Sequence, residues 1–140
     1  MEDMKTTVLL DVLKSKDSYK EIVNTPAMFI TSTLSEYLSN LIDLKGLKKS
    51  DVIARAGLER SYSYQILSGK KEPSRDKLLL LAFGMELTFQ EVQDLLKVNG
   101  YAMLYPKNRR DSLITFALYK GQSIFELNEN LLTMNEEIIV

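Results

Sequence analysis

The sequence predicts an all-α fold. Apolar residues recur at three- and four-residue spacing along almost the whole chain. No stretch alternates apolar and polar residues with β-branched enrichment and hairpin turn signals. Glycine, proline and capping serines or threonines divide the periodic stretches into short helices. The chain has 140 residues, 45% apolar and 26% charged, which suits a globular protein with one real core and some extension.

The elements follow in order. Residues 1–33 form an N-terminal extension, read as a short helix and a connector around Pro26. "STLSEYLSNLIDLKG" places Leu34, Leu38, Leu41 and Ile42 on one helical face, and Gly46 stops it. "KSDVIARAG" starts at Ser50, a residue suited to an N-cap, and ends at Gly57. A third helix runs from Arg60 to Leu67 and ends at Gly69. Pro73 cannot continue that element, and Ser74 caps the next, "SRDKLLLLAFGM". Thr88 opens a fifth helix, "TFQEVQDLLKVNG", with Glu91 completing a capping box. After a break at Pro106, "NRRDSLITFALYKG" and "SIFELNENLLTMN" form a C-terminal helical pair around Gly121. "LIDLKGLKKSDVIARAG" and "FALYKGQSIFELNENL" share one rhythm, an apolar helix closing on Lys-Gly before a capped amphipathic helix. That rhythm reads as an internal repeat.

Composition excludes several functions. There is no cysteine and no histidine, so disulfides, the usual zinc sites and cysteine or histidine catalysis are out. No carboxylate pair suggests acid–base work, and no glycine-rich phosphate loop occurs. The chain reads as a non-enzyme with no cofactor and no metal. Its longest apolar run, Leu78 to Met85, is too short to span a bilayer and is broken by Gly84. The N-terminus lacks a basic start and carries Asp11 inside its apolar stretch, so a cytoplasmic protein is expected.

The net charge of −1 argues by itself against a nucleic-acid partner, but its distribution argues for one. Residues 45–77 hold nine basic and four acidic groups, while acidic groups predominate on both sides. A basic patch on an acidic chain is the footprint of a polyanion site.

That patch coincides with a helix-turn-helix pattern. With Lys49 as its first position, Val52, Ala56, Leu58 and Ile66 fall on the inner face and Gly57 falls in the turn, where positive φ favours glycine. Arg60, Ser61, Tyr64, Gln65 and Ser68 point outward. "SDVIARAGLERSYSYQILSGKKEPSRDKLLLLAFGMELTFQEV" resembles the Cro/repressor-type (XRE-like) helix-turn-helix family in its glycine turn, its Ser-Gly-Lys exit and its Pro-Ser start of the fourth helix. With the first helix the resemblance covers residues 34–97, leaving residues 98–140 as a C-terminal helical extension. It implies a five-helix lambda-repressor-like bundle, double-stranded DNA as partner, and transcriptional regulation.

Three positions depart from the family pattern. Ile53 stands where alanine is usual, and Ser63 where a branched apolar residue is usual. The sizes are exchanged across the turn, which keeps total volume roughly constant. Glu59 replaces the usual serine or threonine cap. A carboxylate at a helix N-terminus is favourable, although it faces the phosphates.

The resemblance and the chemistry together assign roles. Arg60 can address guanine O6 and N7 with two hydrogen bonds, and Gln65 can pair with adenine or a phosphate. Tyr64 can pack on a thymine methyl or donate its hydroxyl to the backbone, and Ser61 lets the helix approach. Lys49, Ser50, Lys70 and Lys71 flank the groove and suit phosphates. Tyr62 is expected to pack against the bundle. A homodimer reading two half-sites is implied, and the apolar helices after Pro106 either dimerise the protein or cover the back of the bundle. The alternative function is a protein-interaction module, or antitoxin-like adaptor, on the same fold.

Overall fold

The computed structural model describes residues 32–140, so the expected N-terminal helix and its connector around Pro26 lie outside the described residues. The described residues form seven helices: α1 (Leu34–Leu44), α2 (Lys49–Ala56), α3 (Arg60–Leu67), α4 (Arg75–Gly84), α5 (Phe89–Val98), α6 (Arg109–Lys120) and α7 (Ile124–Thr133). No strand occurs among the described residues, in line with the all-α expectation. None of their helices is long and apolar enough to cross a membrane.

The helix boundaries have local causes. Thr33 and Thr88 close capping boxes with Glu36 and Glu91, and Ser74 accepts from Lys77 N. Gly57 and Gly121 end α2 and α6 in the left-handed conformation, at φ 70° and 67°. Ser50 is not the cap of α2. The helix starts two residues earlier than that reading requires, at Lys49, with Lys48 as an N-cap that makes no side-chain hydrogen bond. Leu47, before the cap, and Val52, four residues after it, both pack on the core. This apolar staple sets the entry of the chain and leaves Ser50 exposed in the first turn.

Helix α4 is the centre of the molecule. Every residue from Leu78 to Gly84 is buried, so it is apolar all round and must be covered on all sides. Helix α2 packs closely across it, α5 also rests on it, and α1 lies against α3. The contact of α2 with α4 depends on Gly84. A Cβ at that position would sit 2.3 Å from the Val52 carbonyl oxygen. Arg55 Nε donates to the Gly84 carbonyl at 2.8 Å across the same junction.

The C-terminal helices share this core. Ile114 and Ala117 of α6, Leu127 and Leu131 of α7, and Ile139 of the tail join the cluster formed by the first five helices. Gln93 pins the connection before α6, donating to the Leu104 carbonyl at 3.1 Å and accepting from its N–H at 2.8 Å. Asn128 holds the tail in the same reciprocal way through Ile139, at 2.8 Å in both directions. The internal repeat is local only. Gly46 and Gly121 share a left-handed backbone, but α6 packs chiefly on α7 whereas α1 packs on α3.

Candidate functional site

Helices α2 and α3 meet at a turn built by three residues. Gly57 reverses the chain with positive φ, Leu58 packs against the core, and Glu59 caps α3. The carboxylate of Glu59 accepts from Tyr62 N at 2.7 Å. It thus serves the role of the usual serine or threonine cap, with an added charge suited to the helix N-terminus. Val52, Ala56 and Ile66 are buried on the inner face, as their spacing predicts. Ile53 and Ser63, the exchanged pair, are both buried. The Ser63 hydroxyl donates to the Glu59 carbonyl at 2.8 Å, so the small polar side chain carries no unsatisfied group. Tyr62 is half-buried against the core, with the Lys77 ammonium 5.9 Å from its ring centroid.

The outward face of α3 opens onto a shallow concavity of about 690 Å³. Its lining includes Lys49, Arg60, Ser61, Tyr64, Gln65 and Lys70, six of the eight residues expected at the site. Ser50 and Lys71 are exposed but do not line it. Glu59, Leu67 and Ser68 complete the wall. The loop after α3 is held by the last turn of that helix: the N–H groups of Lys70 and Lys71 both donate to the Gln65 carbonyl, at 2.9 and 3.1 Å. This bond fixes where the two lysines leave the helix.

Among the arginines, pairing separates the site from the scaffold. Lys45 pairs with Glu91, and of the chain's five arginines Arg55, Arg75, Arg109 and Arg110 each meet a carboxylate. Arg60 is the exception among the described residues, since its guanidinium lies 5.6 Å from the centroid of the Tyr64 ring and meets no carboxylate. The side chains of Lys49, Ser61, Gln65, Lys70 and Lys71 likewise make no hydrogen bond or ion pair with the described residues. The basic cluster counted along residues 45–77 therefore divides. Lys45, Arg55 and Arg75 stabilise the fold, and of the groups left over Lys49, Arg60 and Lys70 line the concavity on α3.

Among the described residues no three of histidine, cysteine, aspartate and glutamate come close enough to hold a metal ion. A second concavity, of about 560 Å³, lies between the α4–α5 and α6–α7 turns. Two of its charged groups, Arg55 and Glu86, face each other at 3.8 Å. No family model matches the chain, and neither a curated protein nor a solved structure is significantly similar to it.

Sequence reading missed two features of the site. Glu59 departs from the family's cap in the sequence, and only the structure shows its side chain doing the capping. Arg60 and Tyr64 are spaced to meet on one helical face, but their contact was not anticipated.

Proposed function

We propose that the chain is a sequence-specific double-stranded DNA-binding transcriptional regulator on a Cro/repressor-type, lambda-repressor-like bundle. Helix α3 enters the major groove, with Arg60 and Gln65 on base edges and Lys49 and Lys70 on phosphates. Ser50 and Lys71, outside the concavity, reach flanking phosphates. The observation that carries this reading is the set of unpaired donors on one open face, in a protein whose other arginines are all committed to carboxylates. Cations left without internal partners are available to a polyanion, and neutralising phosphates releases counterions.

The working form is a two-fold dimer reading half-sites about 34–36 Å apart, because one recognition helix offers few base contacts. The dimer face is proposed on α6 and α7, where Phe116, Tyr119, Phe125 and Leu132 remain exposed. The second reading is a protein-interaction module with an antitoxin-like role. The exposed aromatic residues favour it, as does Glu59 in the concavity wall.

Selection from a random duplex pool tests the proposal. A symmetric enriched site is expected, with affinity falling as salt rises along a log–log slope on the order of −5 for five or six phosphate contacts. Arg60→Ala should erase preference at one base pair, whereas Lys70→Ala should weaken every sequence alike and flatten the slope by about one. An interaction module would show no salt-dependent duplex binding.

A further inference from the structure

Arg60 and Tyr64 are one turn apart on α3, and the guanidinium carbon lies 5.6 Å from the ring centroid. The two residues are anchored differently. Tyr64 is half-buried and packs against the hydrophobic core, so its ring is a fixed platform. Arg60 is exposed and meets no carboxylate among the described residues. The nearest acidic neighbour in sequence, Glu59, directs its carboxylate to Tyr62 N. The ring is therefore the one described group that restrains the guanidinium.

We infer that Tyr64 is a positioning residue that holds Arg60 ready for guanine, an inference that rests on the DNA-binding reading of the site. The chemistry lets both contacts exist together. When a guanidinium stacks on a ring, the contact uses its flat face and its N–H donors point outward in the guanidinium plane. Guanine O6 and N7 accept from that edge in the major groove. A freely rotating arginine would lose side-chain freedom on meeting the base, and one already resting on an aromatic platform loses less. Tyr64 thus serves specificity at the Arg60 position without itself contacting a base. This differs from the direct thymine contact that the sequence suggests for it.

The test uses the full chain and the duplex site enriched by selection, with variants of that site at the base pair facing Arg60. Tyr64→Phe keeps the ring and should keep the guanine preference. Tyr64→Leu should lower that preference about two- to five-fold, the ratio expected from one exposed cation–π contact, and leave the salt slope unchanged. In an Arg60→Ala background Tyr64→Leu should have no effect at that base pair, because the positioned group is gone. Thermal melting checks that each variant is folded. Should Tyr64→Leu unfold the protein, the Tyr64→Phe comparison and the preference of Arg60→Lys, whose ammonium lacks the planar fork, carry the test: loss of preference in the phenylalanine variant overturns the inference, as does full preference in the lysine variant. A folded Tyr64→Leu protein with unchanged guanine preference also overturns it, while salt-dependent binding preserves the DNA reading. Absence of any salt-dependent duplex binding by the wild-type chain overturns both.

Discussion

Arg75 at the start of α4 grips Asp111 in the first turn of α6 through both carboxylate oxygens, each 3.1 Å away. Their neighbours complete a crosswise pair: Arg110 donates to both oxygens of Asp76, at 3.0 and 2.8 Å. The same dipeptide, Arg-Asp, occurs at both places, and each arginine takes the other's aspartate. Asp111 is the more buried carboxylate and also accepts from Tyr105 N at 2.9 Å. Asp111→Ala should therefore cost about 3 kcal/mol, since it strands the Tyr105 N–H and leaves the partly buried Arg75 guanidinium with only the Ala102 and Met103 carbonyls as acceptors. Asp76→Ala should cost about 1 kcal/mol, because that carboxylate is more exposed. Urea midpoints measure both, and a larger loss at Asp76 would show that burial does not rank these pairs.

The exchanged residues of the turn make a second prediction. Ser63→Ile places a large side chain in a site with no exposed surface and removes the bond to the Glu59 carbonyl. It should cost about 1–3 kcal/mol by overpacking. Ile53→Ala should cost about 2–5 kcal/mol through the cavity it leaves. Restoring the usual arrangement in the double variant should cost less than the sum, because the volume added at position 63 is then set against the volume removed at position 53. Additive energies from denaturant melts would mean that the two side chains do not compensate each other.

Gly84 supplies a prediction whose sign runs against helix propensity. Replacing a helical glycine by alanine ordinarily stabilises, by up to about 1 kcal/mol in a helix interior and by less in a last turn such as this one. Here the new methyl would meet the Val52 carbonyl oxygen at 2.3 Å and Ala56 Cβ at 3.1 Å. These contacts lie on a facing helix, so α2 must move away from α4. Gly84→Ala should destabilise by about 1–3 kcal/mol or more and disturb the helix that carries Lys49. A variant that melts above the wild type would show that α2 shifts without penalty.

The sequence revealed most of the fold because its helix stops and starts are local. Gly57, Ser74, Thr88 with Glu91, and Gly121 act within one turn of their own positions. Ser50 was misplaced because the start of α2 is fixed by Leu47 docking on the core, not by a side-chain cap. Tyr37 was overlooked on the buried face of α1 because its polar hydroxyl obscures a ring that is 1% exposed. Six site residues were legible because they share one face of a short helix and its flanks. What could not be read were the partners of the cations. Nothing local shows that Lys45 will meet Glu91, or that Arg75 will meet Asp111, 36 residues away. Without those pairings the charge patch overstates what is free to bind.

Burial of Tyr37 gives the protein an alkaline limit. Burial, reinforced by the negative charges of Asp94 and Glu91, pushes its phenol well above the usual tyrosine value. The folded pKa is raised, so this contribution is fully present below the unfolded tyrosine value near pH 10 and is lost as pH rises towards the folded value. Stability should fall by about 1.4 kcal/mol per pH unit for this one proton once that window is entered. Tyr101, raised mainly by burial, acts in the same direction. Tyr37→Phe should flatten the decline between about pH 10 and 11.5. Parallel stability curves for the wild type and Tyr37→Phe would assign the alkaline loss to other groups.

The C-terminal helices have two faces, and each predicts a different outcome. Ile114, Ala117, Leu127 and Leu131 are fully buried in the shared core. Truncation after Tyr105 removes them together with Arg110 and Asp111, so the shortened chain should lose cooperative unfolding. Covering the bundle thus accounts for the inner face of the pair, but it leaves the outer face unexplained. Phe125 is 71% exposed and Leu132 65% exposed, two helical turns apart on α7. Large exposed apolar groups mark contact surfaces, and this is where the proposed dimer would form. Phe125→Glu with Leu132→Glu should leave the melting temperature of the monomer nearly unchanged, since neither side chain is in the core. The same double variant should sediment as a monomer and lose most of its affinity for a two-half-site duplex. It should keep the weaker binding of a single half-site, because α3 is untouched. A double variant that sediments like the wild type and binds the full site as tightly would remove α7 from the dimer.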